Sequence, residues 1–354
     1  MTMLSITSEQ FIALDNAFLH AHADAAKLDP LNASNDNLFE QLQSEDPSSN
    51  TSTTAMELFS RSNDWITEHR DADETSLIAL RRDLDKATGA LVLRKVTKLT
   101  EAVTSNYAFD YFIQRGMNPR ANFYDYAASM PANLGATYTG EAAEIALLTI
   151  FDNTIQLAHN GIHNLLDARN AVSDGNNELA NDRLLEVLRS TTEMQSLMAD
   201  TYRQVGPEFV SNRLTRYLGP ITIGDKNYEG PNPSHSGLMT FDRLVVGSLY
   251  ELMANNLSLA SQFAYREQDI PSHHKALLKS LNNSPDANKS IVELTRGTPM
   301  HEIAREITVS LRKQKVAHKS YADKGLSAKG KSLTAAEPDM LSDTIKLVRA
   351  RENT

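Results

Sequence analysis

The sequence predicts an all-α protein built from long helices, and three observations carry that prediction. Glycine (15) and proline (12) are scarce for 354 residues, which leaves few turns to separate short strands. Apolar residues recur at three- and four-residue spacing along extended stretches. The 41% hydrophobic and 23% charged content is that of an ordinary globular chain, long enough for one large domain or two modest ones.

The first expected helix covers 8–28, with Ser8 as N-cap and Phe11, Leu14 and Phe18 on one face. Residues 44–54 read as a loop, polar and interrupted by Pro47. Helices follow over 55–69 and 73–105. The second carries Leu77, Leu80, Leu84, Leu91 and Val96, and its acidic start at 71–74 suits the positive end of a helix dipole. Between Arg115 and Gly140 the breakers Gly116, Pro119, Pro131 and Gly135 cluster with Tyr124, Tyr126 and Tyr138. That cluster suggests a boundary, with 1–115 as an N-terminal helical part and 116–354 as a larger helical part. Long helices are expected over 140–170 and 176–205. A short proline-started helix at 207–218 precedes a hairpin at 221–228, whose turn is Gly224-Asp225. Helices over 238–266, 271–282, 298–324 and 338–351 complete the chain. No internal repeat is present.

Composition also excludes functions. The net charge of −10 argues against nucleic acid as a partner. The absence of cysteine removes disulfides, zinc–thiolate sites, iron–sulfur clusters and a thiolate heme ligand. Residues 1–10 lack the charged and apolar regions of a signal peptide, and no apolar run is long enough to span a bilayer, so a cytoplasmic protein without membrane contact is expected. No nucleophile elbow, P-loop or dinucleotide fingerprint occurs.

His318 shares a helical face with Ile307 and Leu311. An inward imidazole there suits either a heme ligand or, as is commoner, a buried histidine bonded to a carbonyl. Arg312, Lys313, Lys315, Lys319, Lys324, Lys329 and Lys331 make a local inversion of charge sign. They could serve heme propionates, or form a solvated face. His159 and His163 have metal-ligand spacing, but two polar-face histidines are the commoner outcome of that pattern. His20 with His22, and His273 with His274, are weaker, because neighbouring helical side chains point in different directions.

Residues 203–248 resemble the central block of the indoleamine 2,3-dioxygenase family. The features are Pro207, the turn Leu214–Gly219, Tyr228-Glu229-Gly230, Ser234–Gly237 and Phe241-Asp242. Tyr138-Thr139-Gly140 brings the chain closest to the monodechloroaminopyrrolnitrin synthase branch of that superfamily. Leu311-Arg312, His318, Asp339-Met340-Leu341 and Leu347-Val348-Arg349 extend the likeness, which covers about residues 135–354. The resemblance implies an indoleamine 2,3-dioxygenase-like helical fold with a heme pocket between helices. His318 would be the proximal ligand of heme b, and Arg312 and Lys319 cofactor-binding residues. O2 would be the co-substrate and tryptophan or another indole derivative the small-molecule partner. Ser332 and Thr334 would supply catalytic hydroxyls. Arg213, Thr215, Arg216, Glu141, Ile145, Ser234, His235, Ser236 and Gly237 would face the substrate. A homodimer is left open.

Two departures from the family pattern bear on the chemistry. Thr215 stands where the family places its substrate-carboxylate arginine, flanked by Arg213 and Arg216. The glycine-rich loop that closes over heme in the family is replaced by Ser332–Glu337, which has no glycine. These departures keep two other readings open: a heme sensor or carrier without dioxygenase activity, and a helical scaffold without heme.

Overall fold

The computed structural model describes residues 6–34, 36–43, 50–95, 103, 106–130, 137–228, 230–231, 236–247, 270–282, 289–329, 342, 345–346 and 348–351. The protein is predominantly helical, as the scarcity of turn formers predicts. In chain order the helices are α1 (Ser8–Ala25), α2 (Leu38–Gln43), α3 (Thr51–Glu68), α4 (Glu74–Leu93), α5 (Tyr107–Gln114), α6 (Phe123–Ala127), α7 (Ala142–Ser173), α8 (Asn177–Gln204), α9 (Pro207–Asn212), α10 (Ser236–Val246), α11 (Ser272–Asn282), α12 (Ile291–Leu294) and α13 (His301–Lys329). A 3-10 turn, Leu214–Arg216, follows α9. Residues 342, 345–346 and 348–351 are also helical. None of these helices is long and apolar enough to cross a membrane.

The chain divides into two compact units. One comprises 1–16, 153–203 and 234–354; the other comprises 17–152 and 204–233. Both are discontinuous in sequence, whereas the expected division cuts once, after residue 115.

In the first unit the core gathers Phe11, Ile162, Leu165, Phe241, Leu244, Ile291, Ala304, Ile307 and Leu311. Helix α10 packs on α11, α12 and α13. Helix α13 presents Ala304, Ile307 and Leu311 as a buried stripe at helical spacing, preceded by the buried Met300. Gly161 on α7 lets the ring of Phe241 approach closely, since a Cβ there would lie 2.5 Å from Phe241 Cε2. The short α12 is fixed by a capping box between Ser290 and Glu293.

In the second unit α4 is central, packed on α2, α3 and α6. Every residue from Leu77 to Leu91 is buried, including Arg81, Arg82, Asp83, Asp85 and Lys86. Such burial demands partners. Arg81 Nη2 lies 2.7 Å from Asp125 Oδ2, and Arg82 Nη2 lies 2.7 Å from Asp83 Oδ1. Arg82 also donates to the carbonyls of Ala25, Leu28 and Ser129. Asp85 accepts from Arg120 and from the Tyr138 hydroxyl. The strands β1 (Ile221–Ile223) and β2 (Lys226–Tyr228) pair antiparallel with Ile221 opposite Tyr228, the hairpin expected from the Gly224-Asp225 turn.

Several expected boundaries are corrected. Thr51–Thr54, expected in a loop, begin α3. The buried Thr54 hydroxyl donates to Gln41 Oε1 at 2.8 Å, so a hydroxyl-rich segment is satisfied within a helix. Helix α4 ends at Leu93 instead of running to 105, because Lys95 adopts a left-handed φ of 49° that closes the turn. On α1 Leu14 is 51% exposed, and the buried line is Phe11, Asp15 and His22. The expected helices 238–266 and 338–351 lie in large part outside the described residues, as do Val96, Pro131 and Gly135.

Candidate functional site

Helix α13 carries the residue on which the heme expectation turns. Its apolar stripe ends in a more polar segment, where Ser310, Gln314 and His318 follow one another at four-residue spacing along one line of the helix. Ser310 and Gln314 are buried and His318 is half-buried. Ser310 Oγ and Gln314 Oε1 have no hydrogen-bond partner among the described residues. Buried polar atoms are nearly always satisfied, so unpartnered ones mark a place where water or a ligand belongs. From α10, Asp242 faces this segment. Its Oδ2 lies 2.6 Å from Lys315 Nζ, while its buried Oδ1 has no partner among the described residues. Burial pushes the Asp242 carboxyl above the usual carboxylate range, although the charges of Lys315 and His318 work to lower it.

Arg312 is half-buried on the same helix. Lys319 is spanned by an i,i+4 pair with Asp323 at 2.6 Å. The basic run is therefore not uniformly solvated: Lys313 is exposed, Lys315 is buried, and the Lys324 ammonium lies 5.1 Å from the Tyr202 ring centroid.

The residues expected to face a substrate fall largely in the second unit. Arg213 and Glu141 are brought together, both Nε and Nη2 of the guanidinium lying 2.8 Å from Glu141 Oε1. The Thr215 hydroxyl donates to the Ser211 carbonyl at 2.7 Å, Arg216 is exposed, and Ile145 is 38% exposed. Gly237 is buried in the first turn of α10, in the first unit. Ser234, His235, Ser332 and Thr334 lie outside the described residues, and of Ser236 only the backbone is described, at the start of α10.

The Tyr138-Thr139-Gly140 step acquires a local explanation. Glu144 Oε1 accepts the Tyr138 N–H at 2.9 Å, and Oε2 accepts the Thr139 N–H and hydroxyl at 2.7 Å each. Gly140 turns the chain with φ +72°. Glu144 thus caps the approach to α7.

On sequence, three further histidine pairs rank below His318: His159 with His163 at ligand spacing, then His20 with His22 and His273 with His274. His20 is exposed. His22 is buried and bonds the Phe18 carbonyl at 2.9 Å and Asp125 Oδ1 at 3.2 Å. His159, His163, His273 and His274 do not point apart: all four reach one carboxylate, that of Asp15. Residues 273 and 274 occupy the first turn of α11, and their long rings straddle a common acceptor despite the 100° between them. No family model and no curated protein matches the chain.

Proposed function

We propose that the chain is a heme-dependent oxidoreductase of the indole-ring dioxygenase type, in which His318 would hold the iron. The observation that supports it most directly is the polar line of α13. A half-buried imidazole continues a stripe of fully buried apolar residues, beside the unpartnered buried atoms Ser310 Oγ and Gln314 Oε1. The donor chemistry fits heme b, since a chain without cysteine must offer His, Tyr, Met or a carboxylate to iron. Bound there, heme would supply an iron centre able to activate O2 for insertion across the C2–C3 bond of an indole. His318 would donate its ring nitrogen, Ile307 and Leu311 would keep water from that face, and Arg312 and Lys319 would offer cations to the propionates.

The test is hemin titration into the purified chain. A histidine-ligated Soret band at one equivalent is expected in the wild type, and its loss in His318→Ala. A variant that keeps the wild-type spectrum overturns the assignment.

A second reading, a heme sensor or carrier without dioxygenase activity, is favoured by the engagement of Arg213 with Glu141 and by Thr215 at the family's arginine position. Product formation from tryptophan, tryptamine or indole under reductant and O2 separates the two.

A further inference from the structure

Asp15 is fully buried within the first unit, and four imidazoles converge on it. His159 Nδ1 and His163 Nε2 each lie 2.7 Å from Oδ2; His273 Nε2 and His274 Nε2 lie 2.9 Å and 3.0 Å from Oδ1. His159 and His274 are 0% exposed and His273 is 7% exposed, while the His163 side chain retains 17% exposure. Phe11 closes over the group, its ring centroid 5.1 Å from that of His274 and 5.4 Å from that of His273. The knot sits within the unit's apolar core and ties α1, α7 and α11, segments separated by up to 259 residues of sequence.

Removing a carboxylate from water is costly unless a cation or several strong donors compensate. The partners of Asp15 are imidazoles alone, with no lysine or arginine among the described residues. Four imidazole nitrogens within 3.0 Å are all that compensates the buried Asp15 carboxylate among the described residues. The knot is a buried carboxylate met by four imidazoles in an apolar surround, with no lysine or arginine against it among the described residues. That combination is the donor set of a divalent transition-metal site.

The ligating atoms of Asp15, His273 and His274 all lie within 4.8 Å of one another, a spacing that small side-chain movements contract to that of a coordination shell. His274 also has an outer partner, Thr240 Oγ1 at 2.8 Å from Nδ1, which fixes the ring and leaves Nε2 directed at the centre.

We propose that Asp15, His273 and His274, completed by His159, bind one divalent transition-metal ion as a structural staple of this unit, with His163 at its solvent-facing edge. Nitrogen-rich donors select zinc, iron(II) or cobalt(II) over magnesium or calcium. Burial of the ligands suits a closed structural site more than one open to substrate.

The test uses the full chain stripped of metal by chelator and titrated with Co2+ before any heme is added. The expected result is visible d–d absorption of four-coordinate cobalt saturating at one equivalent, its displacement by Zn2+, and a higher Tm with either ion. Both Asp15→Asn and His274→Gln should lose the bands, whereas His318→Ala should keep them. No cobalt spectrum and no Tm change in the wild type overturns the proposal, whether or not the variants fold. So does a spectrum that survives His273→Gln/His274→Gln.

Discussion

The Lys315 ammonium lies 2.6 Å from Asp242 Oδ2, joining α13 to α10 through a pair almost wholly removed from water. Breaking a buried pair strands the surviving charge, at about 3–5 kcal/mol. The two halves are not equivalent. Burial already pushes the Asp242 carboxyl up, so without Lys315 it can neutralise itself by taking a proton. Lys315→Met should therefore destabilise less than Asp242→Ala. The sign with pH follows: the variant's native state binds more protons than the wild type's, so its deficit narrows as pH falls from 7 toward the ordinary carboxylate range. Urea unfolding at pH 7 and pH 5 measures both effects. A Lys315→Met deficit that widens on acidification contradicts the burial of Asp242.

Gly161 and Phe241 set the approach of α7 to α10. Alanine is intrinsically better than glycine inside a helix by about 1 kcal/mol. Here its Cβ would meet Phe241 Cε2 at 2.5 Å and Cδ2 at 3.0 Å, against a ring with no exposure. Gly161→Ala should cost about 1–3 kcal/mol net, the usual range for overpacking. Gly161→Ala/Phe241→Leu should be more stable than the sum of the single changes. A stabilised Gly161→Ala would show that α7 and α10 part readily enough to admit a methyl group, contrary to the expected cost.

Local periodicity made most of the fold legible. The long helices α7, α8 and α13 and the hairpin at 221–228 lie within a few residues of their expected positions, because each is encoded by its own spacing and breakers. Thr51–Thr54 misled because hydroxyl-rich segments usually favour loops, and the tie to Gln41 that overrides the preference is tertiary. Asp15 was hidden for the same reason. Its four partners lie 144 to 259 residues away, and an acid beside Phe11 on an amphipathic helix reads as the edge of a polar face. The available signal was the coincidence of His159 and His163 at ligand spacing with a second histidine pair. His318 could be singled out because its neighbours Ile307 and Leu311 define an inward stripe within one helix.

Lys86 gives the interior of the second unit a pH signature. Its fully buried ammonium lies 3.8 Å from the Tyr138 ring centroid, and burial outweighs Glu144 and Asp85 to bring it down to about 8 from 10.5. Between those values the unfolded chain holds a proton that the native state has released, so stability rises with pH across that window. Lys86→Met should remove the rise. Tyr126 and Tyr138 are both held well above 10 and contribute only at higher pH. Urea midpoints at pH 7.5 and 9.5 should increase for the wild type and stay level for the variant. An equal rise in both would assign the effect to other groups.

The last prediction concerns ligand choice and rests on the heme reading. A guanidinium is the usual bidentate partner for a carboxylate, and Arg213 is occupied, with two of its nitrogens 2.8 Å from Glu141 Oε1. Both side chains are about two-fifths exposed, so the pair adds little to stability, about 1 kcal/mol at most. On the family resemblance that assigns this turn to the substrate, a carboxylate ligand would have to displace Glu141 or go without Arg213. Thr215 offers no charge in compensation, and its hydroxyl is committed to the Ser211 carbonyl. Free tryptophan should therefore bind the ferrous heme-loaded protein more weakly than tryptamine or indole. Glu141→Gln should tighten tryptophan and leave indole unchanged, because it releases the guanidinium without altering an apolar contact. Soret titration with the three ligands reads these affinities directly. Tryptophan binding as tightly as indole, with that affinity lost in Arg213→Ala or Arg216→Ala, would instead show that an arginine of this turn meets the carboxylate in spite of Glu141.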